Sequence, residues 1–156
     1  LIRSYYMGIL DIASGASVWR GYSYYKSGKV LARQQLSETK FTGTVSGSNH
    51  AQYEVFIDIE HPRKSHCNCP HADGKRIVCK HQVALFFSCF PEEAEKYYRD
   101  VLEYEAEEER QQEELDEKII AYIHSLSKRE LEDTLYDILY SGESWVFDKF
   151  VREHID

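Results

Sequence analysis

Hydrophobic positions in the first part of the chain change from a helical period to an alternating one. Apolar residues recur at helical spacing over residues 12–25, and Gly28 then suits a left-handed helix cap. Stretches rich in β-branched and aromatic residues follow at 30–36, 41–46 and 52–60. This pattern predicts a helix packed on a small three-stranded antiparallel sheet.

The second half of the chain has a helical period throughout. An apolar helix is predicted at 80–90, and Pro91 ends it and begins another. The charged run 105–114 lacks an apolar face, so we expect an exposed helix there. Ser127 and Glu130 have the spacing of a capping box, which predicts a new helix start.

A last short helix is predicted over residues 145–155, which makes the C-terminal part all helical and the fold class α+β. The apolar stripes of the last two helices are expected to form a core. Their members are Leu131, Leu135, Ile138, Leu139, Trp145, Val146, Phe150 and Val151.

Composition narrows the class of protein. The 156 residues are 42% hydrophobic, which is enough to bury a core. No stretch has the length and apolarity of a membrane span, and no leader pattern opens the chain, so we expect no membrane partner and a cytoplasmic, intracellular location. The chain starts at Leu1 and its single methionine is Met7, which predicts a segment taken from a longer protein.

The net charge of −8 hides a division between two parts of the chain. Residues 1–90 hold 11 Lys and Arg against 6 Asp and Glu, whereas residues 91–156 hold 8 against 21. Such asymmetry is typical of a segment that meets a polyanion joined to one that does not. A basic face and an acidic face on one globule would give the same counts.

The chemistry of the chain is concentrated between residues 65 and 81. Cys67 and Cys69 form one pair, Cys79 and His81 form a second, and nine residues separate the two pairs. A disulfide between Cys67 and Cys69 would be strained in extended chain. Three thiolates and one imidazole instead make a closed tetrahedral set for a single structural Zn²⁺.

Other potential ligands lie nearby, and one of them competes with this set. His71 follows Cys69 by two residues and could replace a ligand or lie outside the site. His61 and His66 are further candidates. Cys89 lies eight residues beyond His81, about 12 Å along a helix, and is therefore expected to be a small buried residue.

The Cys-x-Cys and Cys-x-His pairs ahead of an apolar helix resemble the SWIM zinc finger. The segment from Arg20-Gly21 through Lys29-Val30 resembles the lead-in of bacterial members. The family also occurs in Swi/Snf-type ATPases, Mutator-type transposases and ubiquitin-pathway proteins. The resemblance implies a zinc-binding domain at 1–90, with the finger itself at about 53–90, ahead of an acidic helical segment at 91–156. It also implies a binding role towards DNA or protein.

The residues favour a binding module over an enzyme that acts on a small molecule. The patterns typical of zinc deaminases and zinc proteases, which supply a carboxylate base, are missing from the sequence. A basic cluster surrounds the ligands and could neutralise the phosphates of nucleic acid, with DNA the first expectation: Arg63, Lys64, Lys75, Arg76 and Lys80. The module could belong to a helicase-like or remodeller-like protein. The alternative is a protein–protein interaction adaptor whose zinc is purely structural.

Overall fold

A computed structural model describes residues 7–155 and shows an α+β fold. The chain forms two compact units that divide between Val101 and Leu102. The domain boundary expected at residue 90 stays a prediction. Ala94 is buried and Tyr97 packs against the core of the first unit, although both lie beyond that boundary.

From residue 7 onward, two helices precede the sheet, where the sequence pattern predicted one. Helix α1 spans Met7–Ile12 and helix α2 spans Gly15–Lys26. The helical conformation is interrupted between them because the Ser14 side chain accepts a hydrogen bond from the Ser17 backbone N–H and so caps the start of a new helix. Gly28 follows α2 with a φ of 67°, as the cap prediction required.

The sheet is antiparallel and has four strands in the order β1-β2-β3-β4. Its strands are β1 at Val30–Gln35, β2 at Lys40–Ser46, β3 at Gln52–Asp58 and β4 at His66–Cys67. The predicted number of three strands is wrong. The fourth has two residues, too few for alternation to show in the sequence, and it pairs with β3 through Val55 opposite Cys67.

Helix α3, at Lys80–Cys89, forms the centre of the first unit. Every residue from His81 to Ser88 is buried, as expected for a helix that is apolar on most of its surface. Helix α2 covers one side of it, and Gly21 makes the approach possible because a Cβ there would lie 2.4 Å from Val83. Strands β2 and β3 cover another side with Val45, Val55 and Ile57.

Three helices complete the chain. They are α4 at Pro91–Ser125, α5 at Lys128–Ser141 and α6 at Ser144–His154. Helix α4 includes the charged run as an exposed helix, which confirms that prediction. The Ser127–Glu130 capping box is also confirmed, since the Ser127 hydroxyl accepts from the Glu130 N–H and the Glu130 carboxylate accepts from the Ser127 N–H.

The prediction that the stripes of α5 and α6 form a core is wrong. None of residues 102–155 is buried, and the Trp145 side chain is 63% exposed. The two helices contact each other. Helical spacing shows that each has an apolar side, but it does not show that a further layer of structure packs on that side and buries it. Among the helices of residues 7–155, none combines the length and the apolarity needed to cross a lipid bilayer.

Candidate metal centre

The four predicted ligands come from two structural elements that face each other. Cys67 ends β4, and Cys69 follows in the turn that leaves the sheet. Cys79 is the N-cap residue of α3, and His81 lies in the first turn of that helix. Sheet pairing therefore fixes one pair of ligands and the start of a buried helix fixes the other.

The donor atoms of the four side chains converge. All four lie within 4.8 Å of one another. The His81 Nδ1 atom is 3.8 Å from the Cys67 Sγ atom and 3.7 Å from the Cys79 Sγ atom. Zinc bonds of about 2.3 Å to sulfur and about 2.0 Å to nitrogen place tetrahedral donors roughly 3.5–3.8 Å apart. The two separations from the His81 Nδ1 atom fall in this range, and the whole set is compact enough to gather around one zinc ion.

Burial explains why the cluster needs a cation. The three cysteines are at most 2% exposed and His81 is 4% exposed. The hydrogen bond between Cys67 and Cys79 lowers the pKa of Cys79 and, together with burial, raises the pKa of Cys67. Without a metal, one thiolate is therefore stabilised at the expense of its neighbour. A divalent cation allows all three sulfurs to be thiolates together.

The imidazole of His81 fits the same conclusion. Its Nδ1 atom faces the sulfurs, and its buried Nε2 atom has no hydrogen-bond partner within residues 7–155. A buried imidazole normally has its polar atoms satisfied by hydrogen bonds. A metal bond would satisfy Nδ1, the ring nitrogen that faces the sulfurs.

Several supporting groups escaped the sequence analysis. The Gln82 Oε1 atom accepts from the Cys79 N–H at 2.7 Å and so fixes the start of α3. Asn68 clamps the first pair to the sheet, because its Oδ1 atom accepts from the Glu54 N–H at 2.9 Å. The rings of Tyr24 and Tyr53 lie 5.6 Å and 4.8 Å from the His81 ring. A local sequence pattern could not predict the two tyrosine contacts, because each tyrosine is distant from His81 in sequence.

The competing ligands lie outside the cluster. His71 is exposed, and His66 stacks on Phe56 with ring centres 5.0 Å apart. His61 lies beside Asp58, whose carboxylate accepts from the His61 N–H. Cys89 is half-buried, close to expectation, and burial raises its pKa to about 11.

The basic residues singled out from the sequence lie on both sides of the ligands along the chain. Arg63 and Lys64 belong to a short 3₁₀ turn between β3 and β4, and Lys80 opens α3. Lys75 and Arg76 lie in the loop between the ligand pairs. Four of these side chains are exposed and Lys80 is half-buried.

Comparison with known proteins agrees with this geometry. No curated protein and no solved structure gives a significant match to the chain. The family described as SWIM zinc finger matches residues 53–90, which extend from β3 to the end of α3 and include all four ligands. With the ligand atoms gathered as zinc requires, residues 53–90 of this chain are a SWIM zinc finger built around one structural zinc ion.

Proposed function

We propose that the zinc-containing unit binds nucleic acid, most simply DNA, through the basic surface around its metal centre. The observation that supports this is the distribution of ion pairs. Within residues 7–155, every Lys or Arg paired with a carboxylate lies in α4 or α5, as in Lys96–Asp100 and Lys128–Glu132. None of the five basic residues near the ligands has such a pair in that range.

Unpaired cations are the ones available to phosphates. A lysine that already neighbours a carboxylate gains less from a phosphate, because it must give up or share its partner. Three thiolates on Zn²⁺ leave the cluster with a net charge of −1, which offsets part of the surplus. The remaining positive charge favours contact with the phosphates of the nucleic-acid backbone. Such contacts do not distinguish one base sequence from another.

Zinc in this proposal organises the surface and does no chemistry on a substrate. Four protein ligands complete a tetrahedral shell, whereas a catalytic zinc keeps a position for water. We accordingly propose a binding module and not an enzyme, acting in an intracellular setting where thiols stay reduced.

An anisotropy titration of the full chain with duplex and single-stranded oligonucleotides at two or more salt concentrations tests this proposal. If three or four lysines and arginines meet phosphates, log affinity falls against log salt with a slope near −3 on duplex DNA. The double variant Arg63→Gln/Lys64→Gln should lower affinity and flatten the slope. The matched variant Arg110→Gln/Lys118→Gln removes the same charge from paired positions in α4 and should bind like the wild type.

A protein-interaction adaptor is the second candidate, and the exposed apolar side chains of α5 and α6 favour it. Leu135 is 45% exposed and Ile138 is 49% exposed. Leu135 lines one pocket together with Phe147 and Phe150 of α6, and an apolar surface of this kind is typical of interaction sites. Absence of salt-dependent oligonucleotide binding by the wild-type chain would reject the first proposal and leave the adaptor.

A further inference from the structure

Two lysines that are far apart in sequence meet at one aromatic ring. The Lys29 Nζ atom lies 4.3 Å from the centre of the Tyr24 ring, and the Lys80 Nζ atom lies 4.5 Å from the same centre. Both side chains are half-buried, and so is Tyr24. The ring attracts each ammonium group through its quadrupole and so holds both positive charges next to the same side chain.

The backbone around both lysines is fixed. The Lys29 N–H donates to the Tyr24 carbonyl at 3.0 Å, and the Lys29 carbonyl accepts from the Ser46 N–H at 2.8 Å. Lys80 lies between the zinc ligands Cys79 and His81 at the start of α3. The zinc centre and the β1–β2 ladder thus position the two charges before any ligand arrives, which lowers the entropy cost of binding.

Neither lysine has a carboxylate partner among residues 7–155. Two ammonium groups around one ring repel each other, and an anion between or beside them would relieve that repulsion. The Tyr24 hydroxyl hydrogen-bonds with the side chains of Lys80 and Ser48, so it lies beside the same charges.

A polar groove of about 570 Å³ adjoins the Lys29 member of this pair. Lys29 lines it, together with the turn Ser46–His50. Ser48, Asn49 and His50 are exposed and carry side chains that can donate hydrogen bonds to an oxyanion. The groove has no apolar side chain along its lining, so it suits a hydrated anion and not an apolar ligand.

We propose that Lys29 and Lys80, positioned by Tyr24, form a phosphate-binding site in which a nucleic-acid backbone phosphate enters the groove beside Ser48–His50. This inference rests on the proposed function and deepens it. It assigns the principal phosphate contacts to Lys29 and Lys80. Lys80 is one of the five basic residues near the ligands, whereas Lys29 is not among them. Tyr24 acts as a positioning residue.

The site contacts the backbone and does not read bases. The ammonium groups of both lysines lie over the Tyr24 ring, and the centre of the His81 ring is 5.6 Å from its centre. The tyrosine ring is therefore not available for stacking with a base. Binding at this site should therefore depend on the number of phosphates and on salt, with little preference among sequences.

The test compares Lys29→Met and Lys80→Met with Lys40→Met in the zinc-loaded full chain. Methionine keeps an apolar stem against the ring while removing the charge. Lys40 is an exposed lysine of β2 that has no ring contact among the described residues, so it controls for the loss of one positive charge. Oligonucleotide affinity and its salt slope are measured for each protein by anisotropy, and zinc content is checked in each.

Each lysine variant should lower oligonucleotide affinity at least fivefold and reduce the salt slope by about 0.9 on duplex DNA. Lys40→Met should change affinity less than twofold. Tyr24→Phe keeps the ring and loses the hydroxyl contacts, so we expect a smaller loss of affinity with an unchanged slope. Equal effects of Lys29→Met, Lys80→Met and Lys40→Met would overturn the site while leaving nucleic-acid binding intact.

Two further results separate the site from the broader proposal. If the wild-type chain binds no oligonucleotide at low salt, the proposed function fails and this site fails with it. A titration with pyrophosphate at matched ionic strength identifies a small phosphate ligand. Saturable pyrophosphate binding that needs Lys29 and Lys80, without oligonucleotide binding, would overturn the assignment to nucleic acid.

Discussion

Val55 and Cys67 lie directly opposite each other across β3 and β4. This pairing places the first zinc ligand in the sheet, even though only two residues of β4 belong to the ladder. The core residue Val55 and the ligand Cys67 are both almost fully buried, at 1% and 2% exposure. The same strand pairing therefore packs a residue of the hydrophobic core and positions a metal ligand.

Asn68, the residue after Cys67, stabilises this strand pairing. We expect Asn68→Ala to leave the Glu54 N–H without its side-chain acceptor and to cost about 1 kcal/mol of stability. Because this bond holds the Cys67–Cys69 turn against the sheet, zinc should also transfer to a competing chelator several-fold faster. Stopped-flow measurement of zinc release checks this.

Asn68→Asp is the control, since its carboxylate can still accept from the Glu54 N–H. Zinc release from that variant should stay closer to the wild type. Equal acceleration in both variants would show that the hydrogen bond is not what holds the turn.

Gly21 sets the distance between α2 and α3. A Cβ at this position would lie 2.4 Å from the Val83 side chain and 2.9 Å from the Lys80 carbonyl oxygen. We expect Gly21→Ala to push the helices apart and to destabilise the zinc-loaded protein by about 1–3 kcal/mol in urea unfolding.

Gly15→Ala is the matched substitution, because a Cβ at the start of α2 meets nothing within 4 Å. That variant should be neutral or more stable by up to about 1 kcal/mol, since alanine favours the helix. If Gly21→Ala were as stable as Gly15→Ala, the close approach of the two helices would be wrong.

Cys89 should be chemically inert in the folded protein. Burial raises the pKa of its thiol from 9.0 to about 11, although the nearby Arg33 charge opposes this. At pH 8 the thiolate fraction then falls from about one in ten to about one in a thousand, so alkylation by iodoacetamide should slow roughly 100-fold relative to the unfolded chain.

The sign of the pH effect follows from the raised pKa. The folded state favours the neutral thiol, so the stabilising contribution of Cys89 is complete below about pH 9 and declines as pH rises toward 11. Mass spectrometry of iodoacetamide-treated protein measures the rate. Rapid alkylation of Cys89 at pH 8 in folded, zinc-loaded protein would contradict the burial of its thiol.

Local sequence signals were sufficient for the metal ligands and for most elements of the first unit. The spacing of Cys67, Cys69, Cys79 and His81 names the metal and its ligands without any knowledge of the fold, because the donor types and the intervals are themselves the constraint. Alternation located β2 and β3 to within two residues, since one face of each strand is buried.

Features that depend on long-range contacts were beyond the sequence pattern. The pairing of β4 with β3 and the meeting of Tyr24 with His81 join segments that carry no mutual signal. The periodicity of α5 and α6 is real, yet a periodic stripe shows only that a helix is amphipathic. It does not show what covers the stripe, and so the expected core was wrong there.

We expect one zinc ion, held by Cys67, Cys69, Cys79 and His81, to organise the first unit. Structural zinc contributes on the order of 10–16 kcal/mol of apparent binding free energy in small domains, enough to decide whether such a region is ordered. Elemental analysis of protein purified without chelator tests this most directly, with wild type, Cys79→Ser and Cys89→Ser handled identically. We predict one zinc per chain in the wild type and in Cys89→Ser, and loss of the metal from Cys79→Ser. Wild-type protein without zinc, or Cys79→Ser with a full complement of zinc, would contradict the account.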